Sequence, residues 1–164
     1  MKYTLHLIFA TLVLPTSLSA QGISPIQKTW GTNELQEFIW RAELGPSGTI
    51  FAVGGQFDPE IGNSSRDIIV SEIDMEGNLM KTWQYGNDNF DTPNAIIPLD
   101  DGGLLVLASI DPYPDNTITH MLILRLSATG TILWRKQFGS PFDQVIPIGM
   151  ILDDAGDIVA SAFL

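Results

Sequence analysis

Apolar residues in this chain come in short runs rather than in long helical stripes. Phe38–Leu44 and Thr49–Gly55 form one pair of runs, Ala95–Leu99 and Leu104–Ile110 a second, Val145–Leu152 and Asp157–Phe163 a third. A four-residue turn divides each pair: Gly45-Pro46-Ser47-Gly48, Asp100-Asp101-Gly102-Gly103 and Asp153-Asp154-Ala155-Gly156. Asp or Pro early and Gly late is type I turn chemistry closed by a residue of positive φ, so each pair reads as a β-hairpin. Runs rich in Ile, Val, Leu and Phe between such turns read as strands, and no helical period competes with them after residue 20.

Two of these units continue alike. A longer polar loop, Phe57 to Arg66 or Asp111 to Thr117, leads into a third strand, Asp67–Ile73 or Thr119–Leu126. A second tight turn, Asp74 to Asn78 or Ser127 to Gly130, leads into a fourth strand that carries a tryptophan. Trp30, Trp83 and Trp134 stand 53 and 51 positions apart. Four antiparallel strands per unit of about 50 residues is the sequence form of a β-propeller blade. The expected fold is all-β: a partial β-propeller of four-stranded antiparallel blades in an incomplete ring. An outer closing strand spans 22–30, full blades span 31–84 and 85–138, and half a blade spans 139–164. The expected structural repeat residues are Trp30, Trp83 and Trp134 with Gly48, Gly86, Gly103, Gly139 and Gly156. Tryptophan in every unit points to packing of outer strands on the next blade, rather than to a sugar-stacking platform. Fewer than four blades do not close a ring, so the natural chain is expected to continue past Leu164. The open sheet edge at Ile158–Leu164 is expected to favour self-association.

The N-terminus is a separate object. Lys2, the apolar run Leu5–Leu14 and the small-residue exit Pro15–Ala20 have the three-part layout of a secretory signal peptide over residues 1–20. The run is too short to span a bilayer, which takes about 20 residues, so no membrane span is expected after its removal. Cleavage after Ala20, or after Ser19, would release the chain to the exterior or the cell surface. The rest of the chain, 21–164, is then the repeat domain.

Charge and composition narrow the function classes. Removing the leader leaves seven basic and nineteen acidic residues, a net charge of −12, and no basic stripe. Such a chain repels phosphate backbones, so nucleic acid is not an expected partner. The absence of cysteine excludes disulfides, thiolate metal sites and cysteine nucleophiles.

The pattern of Asp74-Met75-Glu76-Gly77-Asn78, Lys81-Thr82-Trp83, Tyr85-Gly86, Phe90-Asp91 and Asp100-Asp101-Gly102-Gly103 resembles secreted bacterial β-propeller repeat proteins. The resemblance covers about residues 22–164. It implies an exported chain, in many such proteins delivered by the type IX secretion route with a C-terminal sorting domain, and a scaffold role rather than a defined reaction. Leu126–Arg135 is also similar to the tryptophan-docking repeat of pyrroloquinoline quinone enzymes, with Ser127 where that repeat has Asp. The metal, catalytic Asp and full ring of those enzymes are not identifiable here.

No residue set marks a reaction. Asp153, Asp154 and Asp157 miss the ligand spacing of a calcium loop. Asp111-Pro112-Tyr113-Pro114-Asp115-Asn116 is a stiffer acidic cluster that reads as a solvated loop. His120 is the one histidine outside the leader, too few for a metal site or a triad, and no nucleophile-elbow, zincin or phosphate-loop motif occurs. The expectation is a non-catalytic binding module, with no cofactor, whose loops Phe57–Arg66 and Asp111–Thr117 meet a protein or glycan. The alternative is the propeller domain of a secreted hydrolase or quinoprotein-like enzyme, which would need a carboxylate pair converging at one face.

Overall fold

The computed structural model describes residues 28, 30–31, 36–57, 66–86, 91–111 and 118–164. The leader 1–20 and most of the expected closing strand 22–30 lie outside them, as do residues 58–65 and 112–117 of the two long loops. The described residues are all-β and contain no helix. Ten strands follow one another: β1 (Gln36–Leu44), β2 (Ile50–Phe57), β3 (Asp67–Ile73), β4 (Leu79–Tyr85), β5 (Asp91–Pro98), β6 (Leu104–Ile110), β7 (His120–Leu126), β8 (Ile132–Phe138), β9 (Ile146–Leu152) and β10 (Ile158–Phe163). They form two four-stranded antiparallel meanders, β1-β2-β3-β4 and β5-β6-β7-β8, and a two-stranded sheet of β9 and β10.

One turn design closes all five tight connections. The backbone N–H of the fourth residue bonds back to the carbonyl of the first, as in Gly48 to Gly45, Gly77 to Asp74, Gly102 to Leu99, Gly130 to Ser127 and Gly156 to Asp153. The fourth residue is in each case a glycine with φ between 79° and 83°. A side chain there would be strained, which is why the turns share that one residue. In the second hairpin the positive-φ position is Gly102 (φ 79°), so the expectation of Gly103 is displaced by one residue. Turn side chains add local support: Asp74 accepts from the Asn78 N–H at 2.7 Å, and Asp153 Oδ1 accepts from the N–H groups of Ala155 and Asp157.

These turns fix a common register. Gly45, Leu99 and Asp153 open equivalent turns, so positions 54 apart correspond in the first two strands of each sheet. Asp74 and Ser127 set an offset of 53 for the last two. The inner strands β1, β5 and β9 then bulge at the same place, at Trp40, Asn94 and Ile148. The bulge also accounts for a start of β5 earlier than expected. Pro93 cannot donate to the ladder, and it is accommodated in the strand next to that bulge.

Register separates the tryptophans. Val70 pairs with Trp83, whereas Arg125 pairs with Trp134, and in the common register these differ by two positions. Counted back from the positive-φ glycines Gly31, Gly86 and Gly139, Trp30 stands where Tyr85 and Phe138 do. Trp83 and Lys136 share a second position, Lys81 and Trp134 a third. Each full sheet nonetheless keeps one lysine over one tryptophan ring, Lys81 on Trp83 at 5.7 Å and Lys136 on Trp134 at 5.8 Å. The cation–π pair survives with its two members exchanged.

Side chains alternate between the two faces of a strand, and the sheets stack on that alternation. Phe51, Val53, Ile68 and Val70 on the front of the first sheet share a core with Ile96, Leu104, Val106, Leu124 and Leu126 on the back of the second. Leu105, Leu107, Met121 and Ile123 on the front of the second share a core with Met150, Ile158, Ala160 and Ala162 on the back of the third. The second sheet is covered on both sides, so β6 is buried almost throughout. Truncating its fully buried Leu107 to Ala should cost about 2–5 kcal/mol, and truncating the exposed Leu133 at most about 0.5 kcal/mol, as read by denaturant unfolding.

Candidate binding face at the loop end of the sheets

The tight turns gather at one end of the inner strands and the longer connections at the other. Two backbone bonds tie neighbouring sheets together at this loop end. The Asp91 N–H donates to the Arg66 carbonyl at 2.8 Å, and the Val145 N–H donates to the Thr119 carbonyl at 2.7 Å. Both pairs occupy corresponding positions, so the joint is part of the repeat. Asn94 adds a side-chain tie between inner strands: its Nδ2 donates to the Pro147 carbonyl and its Oδ1 accepts from Ser109 Oγ.

The residue that opens each third strand is held from the fourth strand. Gln84 Nε2 donates to Asp67 Oδ2 at 2.5 Å, and Gln137 Nε2 reaches His120 Nδ1 at 2.6 Å. Gly86 and Gly139 lie against these side chains with φ of 154° and 142°. A Cβ on Gly86 would collide with the carboxylates of Asp67 and Asp91, and a Cβ on Gly139 with the His120 ring. Glycine is needed for this close approach as well as for its φ.

His120 is buried, and its hydrogen bonds fix its tautomer. A carbonyl can only accept, so the Nε2–H donates to the Ser140 carbonyl at 2.9 Å, and Nδ1 accepts from Gln137. Next to it, Asp111 is buried and accepts from Thr119 Oγ1 at 3.0 Å. Burial pushes the Asp111 carboxyl above the usual range; the Thr119 bond and His120 oppose the shift. On the neighbouring joint, burial lowers the Arg66 guanidinium below its ordinary value. Tyr85 packs between the first two sheets and donates its hydroxyl to the Gly130 carbonyl at 2.5 Å; burial pushes the phenol up to about 12.

This geometry has limited chemical capacity. Asp67 and Asp91 do converge on Gly86, but Asp91 is only 1% exposed, so it closes the joint and does not face a substrate. Among the described residues no three acidic or histidine side chains group as a metal site. The turn carboxylates of Asp74, Asp101 and Asp153 bond to their own backbones or, for Asp101, also to Arg125. What the loop end offers outward is Phe142, 92% exposed in the link from β8 to β9, with Ser140 and Asp143 bonded to each other beneath it at 2.6 Å. The tryptophans do not contribute to this face. Trp83 packs into the core between the first two sheets, Trp134 lies 36% exposed on the front of β8, and Trp30 lines cavities on the back of the first sheet.

Sequence reasoning did not single out Phe142; it took Asp91 as part of the repeat pattern and His120 as a lone histidine, without the partners that hold either. Phe142-Asp143 repeats Phe90-Asp91 in sequence, which was the available signal. No family model matches the chain, and no curated protein matches it. No helix among the described residues is long and apolar enough to cross a membrane.

The buried carboxyl gives a pH test with a definite sign. The folded-state pKa of Asp111 lies above the unfolded one, near 3.9, so the unfolded chain loses this proton first and stability falls as pH rises through that window. Asp111→Asn removes the effect and keeps an acceptor for Thr119. The variant and the parent should match in unfolding stability at pH below about 3.9, and the variant should gain on the parent as pH rises towards neutral.

Proposed function

We propose that this chain is an exported, non-catalytic β-propeller scaffold or binding module, of the secreted bacterial repeat type, that presents its loop end to a protein or glycan partner. The observation that carries the reading is the contrast at that end: Asp67, Asp91 and His120 are engaged in holding the sheets, while Phe142 stands 92% exposed above them. Aromatic side chains offer large contact area at low entropic cost, for a protein surface or for the apolar face of a sugar.

Support for blades in a ring comes from the repeated meander, the front-to-back stacking and the recurring joint at Asp91 and Val145. Trp30 and Gly31 at the back of the first sheet fit an outer strand that closes such a ring. Export is supported by the three-part leader.

Glycan-array and protein-array binding by the purified chain, repeated with Phe142→Ala, tests the module. The parent should bind members of one class, and the variant should lose at least about 1 kcal/mol of that binding, roughly fivefold, with unchanged unfolding stability. Equal binding by parent and variant would remove the loop end from the reading. Expression in a bacterial host with a working general secretion pathway should release a chain whose N-terminal sequencing starts at Gln21.

A further inference from the structure

The outer strands β4 and β8 are the free edges of their sheets. An edge strand presents a row of backbone N–H and C=O groups that its own sheet leaves unpaired. On β8 the start of that edge is apolar: Ile132, Leu133 and Trp134 are 43%, 57% and 36% exposed. This exposure belongs to the repeat. Ile132 pairs with Leu126, which lies in the core shared with the first sheet, so Ile132 is open on a side whose neighbour is present. Leu133 and Trp134 correspond to Met80 and Lys81 of β4, which are exposed with the second sheet in place; Met80 is 57% exposed, the same as Leu133.

Charge separates the two edges. The chain has a net charge of −11, yet none of its nineteen acidic residues stands on β4 or β8. On β4 the cation is compensated. Lys81 pairs across the ladder with Glu72, and its Nζ lies 2.7 Å from that carboxylate. β7 carries Arg125 where β3 carries Glu72, and Arg125 is bonded to Asp101. The cations of β8, Arg135 and Lys136, instead lie opposite Leu124 and Ile123, and neither forms an ion pair among the described residues. Arg135 shares its side with Leu124, facing the first sheet, and is exposed there. The β8 edge thus reads apolar and then positive, in a chain that is otherwise acidic.

We propose that the β8 edge is a docking site for an extended peptide of a partner protein, apolar at one end and acidic at the other, which adds to the second sheet as a further strand. Backbone bonds to the free edge give the affinity, and the neighbouring side chains select the sequence. The apolar part runs beside Ile132, Leu133 and Trp134, and the carboxylates run beside Arg135 and Lys136, where opposite charges across a ladder attract. The same two cations disfavour the pairing of two β8 edges, so the occupant is a partner and not a second copy. The site lies on the outer rim and stands or falls separately from the loop-end binding reading.

The probe is the fluorescein-labelled peptide Val-Thr-Val-Thr-Glu-Glu-Glu, which has the seven-residue length of β8, together with the same residues in reverse order for the other strand direction. Fluorescence anisotropy should show one of the two saturating the purified chain, with binding that weakens as salt is raised. Replacing each Glu of the peptide by Lys should weaken binding at least about tenfold, and so should Arg135→Glu, an exposed position, with unchanged circular dichroism. Methylating alternate backbone nitrogens of the peptide keeps its charges but blocks the ladder, and should abolish binding; this readout needs no variant of the chain. Failure of both peptides to bind the parent overturns the proposal. So does equal binding by the methylated peptide, which would reduce the contact to charge attraction. Sedimentation of the chain with phosphatidylglycerol vesicles, lost in Arg135→Glu and without peptide binding, would overturn it in favour of a lipid surface.

Discussion

Everything in this structure depends on covering the second sheet from both sides. A strand sends successive side chains to opposite faces, so a sheet in the middle of a stack must be apolar at every position, and one at the end only at every second position. β6 meets the stricter condition with Leu104-Leu105-Val106-Leu107-Ala108 and is buried accordingly. β3 alternates between buried and half-buried over Asp67–Ser71, while β2 of the same sheet is buried from Phe51 to Gly55, so the back of the first sheet is covered at that strand as well. Without cysteine to staple the layers, the two cores on either side of the second sheet supply the cohesion.

Polar groups then specify how the layers meet. The carboxylate, imidazole and glutamine side chains at the loop end are engaged within or between sheets, in positions a buried polar group can occupy only if its bonds are satisfied. The first and second joints use different side chains, Asp67 with Asp91 in one and His120 with Asp111 nearby in the other, around the same backbone bond. The repeat is thus conserved within the chain at the level of geometry more than of residue type, and the exchanged lysine and tryptophan of β4 and β8 make the same point.

That distinction decides what could be read from sequence. β3 and β6 have the bounds the apolar runs give, Asp67–Ile73 and Leu104–Ile110, because Gly and Asp punctuation brackets them. The start of β5 was hidden by Thr92 and Pro93, which read as loop until a bulge makes room for them. Aligning the units by their tryptophans sets each outer strand two residues off the common register, since register is set by turns and bulges and not by the largest side chain. Gly102 and Gly103 are indistinguishable by composition; only the backbone shows which takes positive φ. At the loop end the functional geometry was illegible for another reason. Asp91 meets Arg66 and Gly86, and His120 meets Gln137 and Ser140, partners 5 to 25 positions away that only the fold brings together.

The joint between sheets, an inner-strand N–H bonded to the carbonyl just before the preceding sheet's third strand, has one further consequence. It recurs at Asp91 and Val145 with lengths of 2.8 and 2.7 Å, and each joint acts at the same point of its sheet. A stack assembled through one joint and one kind of core, used again and again, places each layer on the last in the same way. Evolution could lengthen or shorten such a stack by whole sheets without redesigning how any sheet sits on its neighbour.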